Sequence, residues 1–64
     1  MTLNQFEATL IMLGFKYSKL REFLRGDTRI TVFSKHCLIQ NPNMKYIYRP
    51  YKEALNVIIE NDLR

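Results

Sequence analysis

The stretch that decides the fold is residues 25–33, Arg25-Gly26-Asp27-Thr28-Arg29-Ile30-Thr31-Val32-Phe33. Its first four residues have the composition of a tight turn, in which glycine supplies a backbone conformation that other residues avoid. Its last five residues are strongly β-forming, because most carry β-branched or aromatic side chains. The stretch therefore predicts a hairpin that buries Phe23 beside Ile30.

The segment before this turn, residues 15–25, fits two structures. Phe15 and Tyr17 alternate with polar residues as in a strand, whereas the later apolar residues are spaced as in a short helix. We favour a strand, because a helix would leave the strand after the turn without its nearest partner. A helix over residues 18–25 stays open as the alternative.

The segments after residue 33 predict further strands. Residues 36–40 continue or restart a strand, residues 41–43 have the composition of a turn, and residues 44–49 alternate between two faces. The result is a meander of three antiparallel strands, or of four if Ser34-Lys35 interrupts the second one.

Helices are predicted at both ends of the meander. Thr2 and Gln5 have the spacing of a capping box for a helix over residues 3–13, and Gly14 suits the left-handed position after it. Pro50 suits the first turn of a second helix that continues through Asn61. The apolar stripe predicted for this second helix comprises Tyr51, Leu55, Ile58 and Ile59.

These elements predict one α+β domain over residues 1–64, with helix, three- or four-stranded antiparallel meander and helix in that order. The natural packing places both helices on one face of the sheet and leaves the other face open. A core this small leaves little stability in reserve, so both a monomer and a homodimer are compatible with the sequence. We expect a binding function to lie on the open face.

Composition narrows the functional classes. The chain has one histidine, one cysteine and six dispersed carboxylates, too few for a clustered catalytic or metal site, so the sequence predicts no enzyme, no metal and no cofactor. In a strand, His36 and Cys37 point to opposite faces and cannot act as a pair. Cys37 is expected to be a buried thiol in a reducing cytoplasm. No segment has the length of a membrane span, which predicts a soluble, cytoplasmic protein, in the host cytoplasm if phage-encoded.

Charge is concentrated in the middle of the chain. Residues 15–52 hold nine lysines and arginines against Glu22 and Asp27, a balance of +7 within a total of +4. The two ends are slightly acidic. This asymmetry favours an anionic partner for the middle segment.

Residues 45–52 interleave three tyrosines with three cations. If Ile47 faces the helices, Tyr46 and Tyr48 lie on the open face and Lys45 and Arg49 on the opposite one. Exposed tyrosines stack on unpaired bases or fill pockets on a protein. The candidate binding residues are Tyr17, Lys35, Lys45, Tyr46, Tyr48, Arg49 and Lys52. The alternative is that Tyr46 and Tyr48 only shield a small sheet as cross-strand neighbours.

The helix that ends in Leu13-Gly14-Phe15, followed by a meander and a closing helix, resembles the small HicA toxins and the wider double-stranded-RNA-binding-like fold. The resemblance lies in the order of elements along most of the chain. It implies RNA as the ligand, and for HicA toxins RNA cleavage by a histidine near the first hairpin. Here that turn is Gly26-Asp27-Thr28 and the only histidine is His36. Double-stranded-RNA-binding domains carry a basic cluster where the last helix starts, whereas residues 50–54 hold a single cation.

Three functional hypotheses follow. The first is a small non-enzymatic accessory or regulatory protein of bacterial or phage type that binds RNA or DNA through a basic, aromatic sheet face. The second is a protein-binding inhibitor or antitoxin-like antagonist that uses Tyr46 and Tyr48 or a strand edge. The third is a degenerate HicA-like ribonuclease that depends on His36.

Overall fold

The computed structural model describes all 64 residues of the chain. Two helices flank five strands, in the order α1 (Leu3–Met12), β1 (Lys16–Lys19), β2 (Glu22–Arg25), β3 (Thr28–Val32), β4 (His36–Asn41), β5 (Met44–Pro50) and α2 (Tyr51–Asn61). The strands form one antiparallel sheet in chain order, which leaves β1 and β5 as its edges. The α+β class and the order helix, meander, helix are confirmed, but the sheet has five strands rather than three or four.

The additional strand arises because the chain turns at Leu20 and Arg21, between β1 and β2. Arg21 has φ 64°, a left-handed conformation that is uncommon outside glycine, asparagine and aspartate. Contacts with residues distant in sequence stabilise this turn. The Arg21 carbonyl accepts a hydrogen bond from the Val32 N–H at 2.8 Å. The Arg21 guanidinium also lies 3.4 Å from the Glu7 carboxylate. The preference for strand over helix in this segment was correct, but one predicted strand is two.

Helix α1 begins at Leu3 as its sequence predicts, and it ends at Met12, one residue before the predicted end, with Leu13 as its C-cap. The Thr2 hydroxyl accepts from the Gln5 N–H at 3.1 Å, and the Gln5 side chain accepts from the Thr2 N–H at 2.9 Å, which completes the capping box. Gly14 then adopts φ 93°. The Phe15 N–H donates to the Leu10 carbonyl at 3.0 Å, which turns the Phe15 ring into the core.

A single core lies between the sheet and the two helices. Phe23, Ile30 and Ile39 are directly opposite one another on β2, β3 and β4, so their side chains share one face of the sheet. They are buried in the same cluster as side chains from both helices. The two helices meet where the rings of Phe6 and Tyr51 stack with centroids 4.4 Å apart. Both helices therefore lie on one side of the sheet, the helix side, and the other side is the open face.

Helix α2 begins directly after β5, and Pro50 is its N-cap rather than a member of its first turn. Tyr51 is buried, and its hydroxyl donates a hydrogen bond to the Phe33 carbonyl. Ile58 joins the core, but Ile59 is 61% exposed and does not belong to the buried stripe predicted for it. Neither helix has the length and apolar character needed to cross a membrane.

Candidate functional site

The open face is organised as two rows of side chains that cross all five strands. One row runs from β1 to β5 through Lys19, Glu22, Thr31, Leu38 and Tyr48. The other runs through Lys16, Leu24, Arg29 and Gln40 to the pair Lys45 and Tyr46. Residues opposite each other in register lie on the same face of a sheet. Each row therefore has a lysine at one edge of the sheet and a tyrosine at the other.

An aromatic cluster stands at the β5 end of the first row. The rings of His36 and Tyr48 stack with centroids 5.1 Å apart and planes 5° from parallel. The Phe33 ring meets Tyr48 at 5.8 Å with an interplanar angle of 60°. Tyr48 is nevertheless 52% exposed, and Tyr46 is 73% exposed. Phe33 and His36 thus fix the orientation of the Tyr48 ring while much of its surface stays in water.

Strand β5 follows the predicted alternation at one end and departs from it at the other. Ile47 is opposite the buried Ile39 and packs against the core, which places Tyr48 on the open face as expected. Met44 also packs against the core, although it precedes Ile47 by three residues. The register between these positions is shifted, so that Lys45 and Tyr46 together face Gln40 in a β-bulge. Lys45 is therefore not on the face opposite Tyr46, as strict alternation predicted, but beside it.

The cations of the molecule divide into four arginines with a carboxylate partner and six cations without one, namely the five lysines and Arg49. Each of Arg21, Arg25, Arg29 and Arg64 lies within 3.4 Å of a carboxylate oxygen. None of the five lysines has a carboxylate within the 4.0 Å that defines an ion pair, and neither has Arg49. Three of these lysines, Lys16, Lys19 and Lys45, lie in the two rows of the open face. Lys35 is exposed in the turn that precedes His36.

Three of the candidate binding residues lie away from this face. Tyr17 is opposite Phe23 and contacts its ring edge-on at 5.8 Å, which places it on the helix side at the far edge of the sheet. Arg49 is opposite the buried Cys37, also on the helix side. Lys52 is exposed in the first turn of α2. Lys45, Tyr46 and Tyr48 come together on the open face, and Lys35 lies at its margin.

The structure adds residues to this face that the sequence analysis did not include among the candidate binding residues. Phe33 and His36 meet Tyr48 only because a short turn brings the end of β3 and the start of β4 to β5. The positions of Lys16 and Lys19 on this face depend on the register of β1, and the pairing of β1 with β2 also contains a register shift. The sequence held one signal for Phe33. It is the last residue of a β-forming run, and the predicted core did not include it.

His36 and Cys37 lie on opposite faces, as expected. Cys37 is fully buried, and this burial raises the pKa of its thiol from 9.0 to about 12. A thiol with so high a pKa stays protonated at neutral pH and is a poor nucleophile. No group of three or more His, Cys, Asp and Glu side chains is placed to hold a metal ion. The chemistry that the open face offers is aromatic contact and positive charge.

Comparison of the chain with protein-family models, with curated proteins and with solved structures finds no match. The resemblance to HicA toxins and to the double-stranded-RNA-binding-like fold accordingly stays a prediction.

Proposed function

We propose that this protein binds single-stranded nucleic acid on the open face of its sheet, as a non-enzymatic accessory or regulatory protein. The observation that carries the proposal is the pair of exposed tyrosines on β5, with Tyr48 held in place by Phe33 and His36 and with unpaired lysines around them. Bases stack on such rings regardless of sequence, and lysines supply contacts to phosphates.

The spacing of the two tyrosines favours an unpaired strand over a duplex. Residues two apart along a strand are separated by about 7 Å. Successive bases within one strand of a duplex rise by only about 3.4 Å and are covered by their neighbours. Two consecutive bases reach Tyr46 and Tyr48 only if they are unstacked, which a flexible single strand allows. Lys45 beside Tyr46 and Lys35 beside His36 then lie at the two ends of the bound segment.

The test is a titration with labelled RNA, DNA and duplex of about eight nucleotides, a usual site size for one small domain. We expect the single strands to bind more tightly than the duplex. Affinity should fall steeply between about 50 and 200 mM salt, because each neutralised phosphate of a single strand contributes about 0.7 to the slope of log K against log salt. Failure of all single strands to bind at low salt would overturn the proposal.

A protein partner is the second candidate, and the unpaired edges of the sheet favour it. β1 and β5 each pair with one strand only, so each presents free backbone groups to an added strand. Affinity purification from lysate with and without nuclease separates the two candidates. A partner that is retained after nuclease treatment would favour the protein candidate, whereas a partner that nuclease treatment releases would favour nucleic acid.

A further inference from the structure

A shallow depression lies at the Tyr46 end of the open face, between the β2–β3 turn and the β4–β5 turn. Its volume is about 230 Å³, and it is lined by Asp27, Arg29, Gln40, Asn41, Pro42 and Tyr46. Pockets for drug-sized ligands have volumes of about 300–1,000 Å³. This depression is smaller, and the exposed Tyr46 ring in its wall suits a single flat group.

The polar groups in the depression differ in whether the fold already uses them. The Asn41 amide is occupied, because it donates to the Thr28 hydroxyl at 2.7 Å and accepts from the Asn43 N–H at 2.9 Å. Arg29 meets the Glu22 carboxylate through its Nε at 3.4 Å, which leaves its two terminal amino groups free. Asp27 is in none of the ion pairs or side-chain hydrogen bonds of the molecule. A carboxylate and a guanidinium are therefore both available beside Tyr46.

The unpaired carboxylate is informative because it lies on a face that would bind a polyanion. Asp27 repels phosphates, so it lowers the affinity for any nucleic acid unless it accepts hydrogen bonds from a base. Guanine is the base with two adjacent donors, N1–H and the N2 amino group, which match the two oxygens of a carboxylate. Guanine also has two adjacent acceptors, O6 and N7, which match an arginine. Adenine, cytosine and uracil each lack one of these pairs or both.

Building on the proposed nucleic-acid binding, we propose that the depression is a base-recognition subsite and that its base is guanine. The guanine stacks on Tyr46. Its N1–H and N2 amino group donate to the Asp27 carboxylate, and Arg29 and Gln40 supply further polar groups at the edges of the base. Asp27, Arg29 and Gln40 line the depression at Tyr46, whereas the rings that contact Tyr48 are Phe33 and His36, so we expect the selection to act on the base at Tyr46. The protein then prefers a single guanine in an otherwise arbitrary strand.

The test compares an all-uracil RNA of about eight nucleotides with RNAs that carry one guanine, adenine, cytosine or inosine in the middle. We expect the guanine RNA to bind about ten-fold more tightly than the all-uracil RNA, the scale of one good pair of contacts to a base edge. Inosine lacks the N2 amino group. It should lose most of this advantage if Asp27 is the partner, whereas 7-deazaguanine, which lacks the N7 acceptor, tests Arg29.

The variant Asp27→Asn sharpens the test, because a merely structural role of Asp27 predicts an equal loss of affinity for every RNA. If Asp27 recognises guanine, removal of the Asp27 charge should leave the affinity for the all-uracil RNA unchanged or higher, while the advantage of guanine falls to within about two-fold. Glu60→Gln is the matched control, since Glu60 is an exposed carboxylate on α2. Thermal unfolding by circular dichroism checks that both variants fold.

The possible failures are distinguishable. Tight binding of every RNA with equal affinity would overturn the guanine subsite and leave the proposed function standing. Preference for another base, or a guanine preference that survives both Asp27→Asn and Arg29→Gln, would also overturn it. Failure of every RNA and of the corresponding DNA to bind would overturn the proposed function and the subsite together.

Discussion

The two sides of the sheet differ in chemistry although the same five strands build both. On the helix side, Phe23, Ile30 and Ile39 are buried, and Arg21 and Arg25 are paired with carboxylates. On the open side the corresponding positions hold half-buried and exposed side chains. They include the two tyrosines of β5, unpaired lysines on β5 and β1, and one ion pair, Arg29 with Glu22. Burial in the core accounts for the large apolar side chains on the helix side. The large exposed rings of the open side contribute little to a core, which is why we propose that binding takes place on that side.

The largest expected effect contrasts two neighbours on β4 that point to opposite sides. Ile39→Ala should lower the free energy of unfolding by about 2–5 kcal/mol, because it leaves a cavity in a fully buried site. Leu38→Ala on the open face should cost about 1 kcal/mol, since only part of its side chain leaves water on folding. Urea denaturation measures both. Equal losses would mean that the open face is part of a second core.

The next effect concerns the tyrosines of the two sides. Replacing Tyr46 and Tyr48 together by alanine should weaken nucleic-acid binding at least ten-fold, because each stacked base contributes about 1–3 kcal/mol. Tyr17→Ala is the matched control, an exposed tyrosine on the helix side. Fluorescence anisotropy at constant salt measures the affinities. A similar loss of affinity in Tyr17→Ala would show that binding is not confined to the open face.

Stability at alkaline pH tests the burial of the helix side. The pKa of the Cys37 thiol is about 12 in the folded chain against 9.0 for an ordinary cysteine. The unfolded chain therefore loses this proton first as pH rises, and the free energy of unfolding falls between those two values. We expect a loss of about 1 kcal/mol from this group between about pH 9 and 10. Urea titrations of the wild type and of Cys37→Ala at each pH isolate the contribution of this thiol. If the free energy of unfolding changed with pH equally in both proteins, the result would contradict the burial of Cys37.

The smallest expected effect concerns single lysines. Lys45→Gln should reduce the slope of log K against log salt by about 0.7, the contribution of one phosphate contact to a single strand. Lys52→Gln on α2 should leave the slope unchanged, because Lys52 lies outside the two rows of the open face. Titrations over a range of salt concentrations give both slopes. A change of equal size in Lys52→Gln would extend the binding surface around the end of β5.

Local patterns predicted those parts of the fold that depend on neighbours in sequence. The capping box at Thr2, the left-handed Gly14 and the orientation of Ile47 and Tyr48 all follow from spacing within a few residues. The turn at Arg21 was missed because its left-handed conformation is stabilised by contacts with distant residues. No composition rule for turns singles out an arginine there.

The site was harder to predict than the fold for a similar reason. Strict alternation placed Lys45 opposite Tyr46, but a bulge places the two side by side. The contacts of Phe33 and His36 with Tyr48 depend on the register of three strands, which a single sequence does not specify. Tyr17 alternates with its neighbours as predicted. The pairing of β1 with β2 nevertheless places it on the helix side, at the edge of the sheet farthest from β5.

The position of β5 at the edge of the sheet has a consequence for self-association. If β5 paired with its copy in antiparallel register around Ile47, each end of the contact would hold Lys45 of one copy and Arg49 of the other, on different faces of the sheet. Neither cation has a carboxylate partner in its own chain, so the like charges would oppose the contact at both ends. Cations at these positions act as gatekeepers against the aggregation of an edge strand with two exposed tyrosines. A reversal such as Lys45→Glu would turn this repulsion into attraction. Charge reversals at this edge therefore risk creating a dimer, whereas neutral glutamine substitutions do not add an attraction of this kind.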